Sequence, residues 1–173
     1  MPTRRTALFA LAAGCAPTIS EAAAADPGPV YEAFFRYVGG LGREHFVLGW
    51  PLDSTALNGR DGLLQLEYPR TYRRHQFTDF GAARVRVITD TEYVEIFSDE
   101  RGCREGWNEF HRRFPEAKGL VQLSHVAFSA SGKAAGLLAK EGSGCFGSSV
   151  DHYTFLRSGS VWHFGNQENV GRS

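Results

Sequence analysis

The sequence predicts an α+β fold in which an antiparallel sheet is packed by two amphipathic helices. Apolar residues at helical spacing place these helices over Val30–Leu41 and Cys103–Phe114. Pro115 and Gly119 end the second helix and reverse the chain, and alternating apolar residues then predict four consecutive strands. Because short turns join these strands, we expect a C-terminal four-strand meander.

Length and composition indicate one globular domain. The chain has 173 residues, 42% of them hydrophobic and 22% charged, so it can bury a core and does not resemble a disordered chain. Its 19 basic residues balance 19 acidic ones, and this neutrality gives no field that favours nucleic acid or an anionic membrane as a partner. No apolar run approaches the ~20 residues that span a bilayer.

Residues 1–25 have the composition of an export signal. Met1–Arg5 forms a short basic region, and Thr6–Gly14 follows as an apolar region. The arginine pair resembles a twin-arginine (Tat) signal, although the usual phenylalanine-leucine pair is missing. We therefore expect residues 26–173 to fold as a single α+β domain that is exported to the periplasm or the outer surface.

Two interpretations of signal processing remain open. Leu11–Cys15 resembles a bacterial lipobox, with Ala12 where leucine is usual, and would make Cys15 the lipid attachment site. Alternatively, Ala23–Ala25 is a small-residue cleavage site that would release an unanchored protein. A lipid anchor at Cys15 is thus the only membrane contact that we expect, and it exists only in the first interpretation.

The first helix is predicted to start after the Pro27-Gly28-Pro29 segment. Between it and the second helix, alternating residues predict short strands over Leu63–Tyr68, Arg84–Ile88 and Tyr93–Phe97, of which the last two would form a hairpin. Ser98 is then the expected N-cap of the second helix.

Within that second helix, Trp107, Phe110 and Phe114 form an aromatic stripe, and Cys103 extends it one turn back. Two interior glycines weaken the helix by up to about 1 kcal/mol each. We therefore expect packing of the stripe to hold the helix.

The four strands of the meander follow from alternation and turn residues. They are predicted over Leu120–Phe128, Lys133–Lys140, Val150–Arg157 and Ser160–Phe164, followed by a polar tail over Asn166–Ser173. A two-residue Ser-Gly turn would pair Phe155 with Trp162 and Tyr153 with Phe164 across the last hairpin. These four rings would share one face, which we expect to cover the second helix.

Histidines provide one candidate ligand face on the opposite side of the meander. The predicted register sets Thr154 opposite His163 with His152 diagonal, and His125 of the preceding hairpin points to the same surface. Such a surface could bind a metal or an anion. Because the spacing is not a ligand motif and no carboxylate is fixed as a partner, structural histidines are the other interpretation, and we predict no metal and no cofactor.

A basic and aromatic segment provides a candidate anion patch. This arginine patch consists of Arg70, Arg73, Arg74 and His75. Guanidinium groups suit a carboxylate or phosphate ligand. A solvated loop with aromatic anchors is the alternative, because surface loops commonly have this composition.

The cysteines and the standard motifs argue against catalysis. Once Cys15 is removed or lipidated, Cys103 and Cys145 remain, and in an oxidising compartment a pair favours a disulfide over a metal site. This bond would clamp the glycine-rich loop Gly142–Ser149 over the second helix, whereas two free thiols would leave a cysteine-histidine nucleophile conceivable. No nucleophile elbow, zinc-protease motif, Walker loop or dinucleotide fingerprint occurs, so we assign no catalytic residue.

The pattern of residues 84–164 resembles an uncharacterised family of bacterial exported proteins and lipoproteins. The matching residues are Trp107-x-x-Phe110-x-x-x-Phe114-Pro115, Gly119 and Leu123-Ser124-x-Val126-x-Phe128, with Gly144-Cys145-Phe146-Gly147 and Leu156–Trp162 following. Ala127 departs from the usual glycine, and one cysteine occupies a loop that often has two, which makes Cys103 the remaining partner. The resemblance implies a secreted mixed α/β domain and carries no assigned activity.

Two functions from different classes remain. The first is a non-enzymatic envelope module that binds a protein or a small ligand, because no catalytic constellation accompanies the aromatic-rich sheet. The second is a small-molecule enzyme with an NTF2-like fold, in which a curved sheet and helices form a cone around an apolar pocket. A closed pocket lined by histidine or a carboxylate pair would favour the enzyme. A redox role would instead require a labile disulfide.

Overall fold

A computed structural model describes residues 26–42, 45–48, 52, 84–98 and 100–172. Three predictions lie outside the described residues: the export signal with Cys15, the strand over Leu63–Tyr68, and the arginine patch. The elements, in chain order, are α1 Gly28–Gly40, β1 His45–Leu48, β2 Arg84–Val87, α2 Asp90–Ile96, α3 Cys103–Arg113, β3 Leu120–Leu123, β4 Ala127–Phe128, β5 Ala134–Gly142, β6 Ser148–Ser158 and β7 Val161–Arg172.

The strands form one seven-stranded sheet with the order β2-β1-β3-β5-β6-β7, and β4 pairs with β5 beside this path. Strands β3, β5, β6 and β7 lie side by side in chain order, and all their pairings, like that of β4 with β5, are antiparallel, which confirms the α+β class and the C-terminal meander. β1 pairs in parallel with both β2 and β3, so the N-terminal part of the sheet is mixed. The sheet remains open and does not close into the alternative cone.

Helix α1 covers one face of the meander. Its apolar stripe of Val30, Phe34 and Val38 is fully buried, as the spacing predicted, whereas Leu41 beyond the helix is 55% exposed. The Phe34 ring meets the Tyr153 ring edge-on, with centroids 5.0 Å apart. The aromatic face of the last hairpin therefore packs on α1, and the expectation that it covers the Trp107 helix is wrong. Alternation determines which side chains share a face, but it does not determine which helix lies on that face.

The register of the last hairpin also differs from the prediction. Ser158 pairs with Val161, so the turn is Gly159-Ser160, and Phe155 lies opposite Phe164 instead of Trp162. The shift is an even number of residues, which is why these rings still share one face. The expected polar tail is wrong too, because β7 continues to Arg172 along β6.

The segment predicted as the strand Tyr93–Phe97 is the helix α2. Thr89 is its N-cap: the Glu92 backbone N–H donates to Thr89 Oγ1 over 3.2 Å, and the Thr89 N–H donates to Glu92 Oε2 over 2.8 Å. This reciprocal capping box is a local helix-start signal that outweighed the β-forming residues. The bond from the Thr89 backbone is the main cause that lowers the pKa of Glu92.

Helix α3 packs on the other side of the sheet from α1. Phe110 is fully buried and Phe114 nearly so, in a cluster with Ile96 and Leu120, which confirms the packed aromatic stripe. The helix starts at Gly102, which has a φ of 73°, so Ser98 is not its N-cap. Two further predictions about this part of the chain are wrong. Cys103 is exposed and does not extend the stripe, and the predicted strand Leu120–Phe128 is broken by a segment around the buried Ser124.

Candidate functional site

A cleft of about 240 Å³ lies between α2, α3 and the β3–β5 part of the sheet. Its lining consists of three aromatic residues on or beside α2 and α3, five strand residues, and three residues of the loop before β6. They are Tyr93, Phe97, Trp107, Leu120, Gln122, Lys140, Gly142, Ser148, Gly144, Cys145 and Gly147. Leu120 and Gln122 alternate along β3 with Val121 and Leu123, which belong to the core under α1. The cleft is therefore on the sheet face opposite α1.

Three aromatic rings form one wall of the cleft. The Phe97 ring centroid lies 5.2 Å from that of Tyr93 and 5.1 Å from that of Trp107. Trp107 in turn meets the fully buried Phe110 edge-on at 5.2 Å, which anchors its half-buried ring. Burial raises the pKa of Tyr93, so its phenol stays protonated and neutral at physiological pH.

The floor of the cleft carries a polar pair. Gln122 on β3 is the direct antiparallel partner of Lys140 on β5. Directly opposed residues have Cβ atoms about 5 Å apart and side chains on the same face. Neither side chain has a hydrogen bond or an ion pair with another described residue. Of the described residues that line the cleft, Lys140 carries the only formal charge.

A bridged loop forms the remaining wall. Cys103 at the start of α3 and Cys145 form a disulfide with a Cα–Cα separation of 5.7 Å, which confirms the predicted bond. His111 Nε2 lies 3.2 Å from the carbonyl oxygen of Ser143 and ties the loop to α3 a second time when it carries the ring proton. Gly147 has a φ of 121°, a conformation that favours glycine in this loop. Because the two sulfurs are bonded, neither cysteine is available as a nucleophile.

Glycines let α2, α3 and the strands approach closely around the cleft. A Cβ on Gly106 would lie 2.9 Å from the carbonyl oxygen of Ile96, and one on Gly119 would lie 2.5 Å from the carbonyl oxygen of Gly142. Gly106 thus allows the α2–α3 contact that presents Phe97 and Trp107 side by side. This packing offsets the low helix propensity of glycine at position 106.

The histidine face is spread along the strands. His152 and Thr154 share a face of β6, but Thr154 pairs with Asn166, and His163 pairs with Leu156, so the predicted opposition of Thr154 and His163 is wrong. His163 is therefore about 13 Å along the strand from the position of His152. His152 is buried and His163 is exposed. His125 lies in the segment between β3 and β4 and is half-buried.

Within the described ranges, no three histidine, cysteine or carboxylate side chains are grouped to hold a metal ion. Sequence reasoning missed Tyr93, Gln122 and Lys140 as cleft residues. The sequence feature that could have indicated the cleft was Gln122, a polar residue on an otherwise apolar strand. Tyr93 could not be recognised because its segment was predicted as a strand.

Compared with known proteins, the sequence matches no family model, and no curated protein or solved structure is significantly similar to it. Among the helices that the structure describes, none is both long and apolar enough to cross a bilayer.

Proposed function

We propose that the protein is an exported cell-envelope module that binds a small organic ligand in the cleft between α2, α3 and the sheet, and that it is not an enzyme. The observation that carries the proposal is the combination of an aromatic wall with the unpaired Lys140–Gln122 floor. Small-molecule sites combine aromatic and apolar side chains with a few placed polar groups, and the lining of this cleft has both.

The lining supports binding over catalysis. No histidine, aspartate or glutamate is among the described residues that line the cleft. Among the described lining residues, the groups able to transfer a proton are Lys140 and Tyr93, and the histidine and carboxylate side chains that most often act as a general base are missing from the lining. The open cleft also differs from the closed, histidine- or carboxylate-lined pocket expected of the NTF2-like enzyme alternative.

Export is supported by the signal-like residues 1–25 and by the Cys103–Cys145 bond. Disulfides persist in oxidising compartments and are rare in the cytosol. The lipobox-like Leu11–Cys15 supports a lipid anchor as one form of the mature protein. Mass spectrometry of the mature N-terminus distinguishes a lipid on Cys15 from cleavage after Ala25.

The size of the cleft sets the expected ligand. An apolar cavity of ~150 Å³ holds one benzene, and drug-sized ligands occupy ~300 Å³ or more. A cleft of about 240 Å³ therefore suits roughly ten non-hydrogen atoms. At the efficiencies of small ligands, we expect dissociation constants between about 1 mM and 1 μM.

The test fills the cleft and compares it with a matched surface change. Gly144 lines the cleft and Gly39 lies in α1 on the other sheet face, and at both positions a Cβ would meet nothing within 4 Å. Ring-containing fragments are screened by thermal shift, and each hit is titrated calorimetrically against wild type, Gly144→Leu and Gly39→Leu. We expect Gly144→Leu to weaken binding at least tenfold and Gly39→Leu to leave it unchanged.

Two results would contradict the proposal. One is a fragment screen in which no compound raises the melting temperature of the wild-type protein. The other is a set of hits that bind Gly144→Leu as well as they bind wild type, since this would place the ligands elsewhere.

A further inference from the structure

We infer that the cleft selects a carboxylate attached to a single planar ring, with Lys140 and Gln122 as the groups that recognise the carboxylate. The inference rests on the proposed binding function and names the chemical class of its ligand. It follows from the charge of the floor, the surroundings of that charge and the shape of the aromatic wall.

The floor presents hydrogen-bond donors to the cleft. The ammonium of Lys140 has three donors, and the amide of Gln122 has two donors and one acceptor. A carboxylate has two oxygens and about four lone-pair positions, so it can accept from both side chains at once. Because they are direct partners on β3 and β5, their end groups can converge on one anionic group.

The positive charge in the cleft has no internal partner among the described residues. Lys140 is only half-exposed and makes no ion pair with them. Glu141 follows it on β5 and therefore faces the other side of the sheet, where it accepts a hydrogen bond from Tyr153 Oη over 3.4 Å. A partly desolvated ammonium without a counter-charge favours an anionic ligand, since the ligand supplies the missing partner.

Two carboxylates of the nearby helices, Glu109 and Glu95, are also engaged elsewhere. Glu109 on α3 accepts from Arg112 over 2.7 Å and from Arg113 over 2.6 Å, and Arg113 also pairs with Glu95 of α2. These two acids and two arginines balance one another. Among the described residues that line the cleft, Lys140 carries the formal charge, so it determines the sign of the cleft.

The aromatic wall determines the rest of the ligand. Phe97 and Trp107 are inclined by 71° to each other, so a planar ring can lie face-on to one and edge-on to the other, as aromatic pairs prefer. The cleft has a volume of about 240 Å³, whereas a cavity that holds one benzene ring has ~150 Å³. The cleft therefore has room for one ring and a short side arm but not for two rings. A ring with a one- or two-carbon acid arm meets both requirements.

The test uses three probes that share a phenyl ring and differ in charge: phenylacetate, phenylacetamide and phenethylammonium. Each is titrated calorimetrically into the full chain at pH 7 and low salt. We expect phenylacetate to bind at least tenfold more tightly than phenylacetamide, because a hydrogen bond to a charged group is roughly twice as strong as a neutral one. Added salt should narrow this difference by screening the charge.

Substitutions of two lysines test whether Lys140 causes the preference for the acid over the amide. Lys140→Met keeps the length of the side chain and should abolish the preference for the acid over the amide. Lys140→Arg keeps the charge and should retain the preference. Lys133→Met, in the exposed turn before β5, is the matched control and should behave as wild type. Circular dichroism confirms that each variant is folded.

The outcomes separate the two proposals. Equal binding of acid and amide, preferential binding of the ammonium compound, or an unchanged preference in Lys140→Met would each overturn the inference, although a ligand site would remain. If none of the three probes binds while the fragment screen finds other ligands, the inferred class is wrong. Failure of both the probes and the screen would remove the binding function itself.

Discussion

Removal of the Cys103–Cys145 bond perturbs both the stability of the domain and one wall of the cleft. The Cys103→Ala, Cys145→Ala double variant is the appropriate change, because Cys103 is exposed at the first position of α3 and alanine is the best helix former. Cys15→Ser is included in every protein so that a third thiol cannot exchange with the pair. Without the bridge, the described contacts include one further hydrogen bond from the loop to α3, between His111 and Ser143.

The expected magnitude follows from the length of the closed loop. The two cysteines are 42 residues apart, and in the chain-entropy model a loop of this length stabilises the folded state by about 4 kcal/mol. With a urea m-value of about 2 kcal/mol/M, the midpoint of unfolding should fall by about 2 M. The melting temperature should fall by roughly 8–16 °C for a chain of this size.

Urea unfolding followed by circular dichroism measures this difference. Reductant should shift the parent protein to the midpoint of the double variant and should leave the double variant unchanged. A parent midpoint that does not respond to reductant after full thiol release, or a double variant with the parent's midpoint, would refute the argument that the bridge constrains the unfolded chain. Ligand affinity should also weaken in the double variant, because the cleft loses a fixed wall.

Two further predictions concern single residues. Gly106→Ala should lower the free energy of unfolding by about 1–2 kcal/mol, despite the better helix propensity of alanine, because the new Cβ would lie 2.9 Å from the carbonyl oxygen of Ile96. Gly39→Ala is the control: it has open space around it and should be neutral or stabilising in the same denaturant titration. A stabilised Gly106→Ala would disprove the close α2–α3 contact. Glu109→Gln should be less stable than wild type at neutral pH, because the hydrogen bonds from Arg112 and Arg113 lower the pKa of Glu109 from 4.5 to about 2. A carboxylate with a lowered folded-state pKa stabilises the protein above its unfolded-state pKa, so the difference between the two proteins should disappear as the pH falls from 4.5 toward 2. A difference that persists at pH 2 would show that Glu109 acts through packing instead of charge.

The periodicity of apolar residues was sufficient to predict the longer helices. The spacing of Val30, Phe34 and Val38 predicted α1, and the spacing of Trp107, Phe110 and Phe114 predicted α3. Both patterns depend on neighbours within two helical turns, so no distant contact was needed. The strand over β5 was predicted against the helix propensity of its alanines, and the structure confirms it over Ala134–Gly142.

The errors arise where local signals conflict or are weak. Tyr93–Phe97 has strand-forming residues, yet the capping box between Thr89 and Glu92 starts a helix there. Asn166–Arg172 has no apolar alternation, and it forms a strand because its backbone groups bond to β6. An edge strand can be polar on both faces, since its stability comes from the ladder more than from burial.

The amino-acid sequence by itself determined the α+β class, the two long helices, the order of the meander strands and the pair of cysteines that bond. These features depend on residue type and on spacing over a few positions. Only the tertiary structure decided that α1 covers the aromatic face, that β1 lies in parallel between β2 and β3, and that Gln122, Lys140 and the rings of Tyr93, Phe97 and Trp107 meet in one cleft. The reason is that such contacts join residues far apart in the chain, where many pairings satisfy the same local pattern and the packing of the whole domain selects one of them.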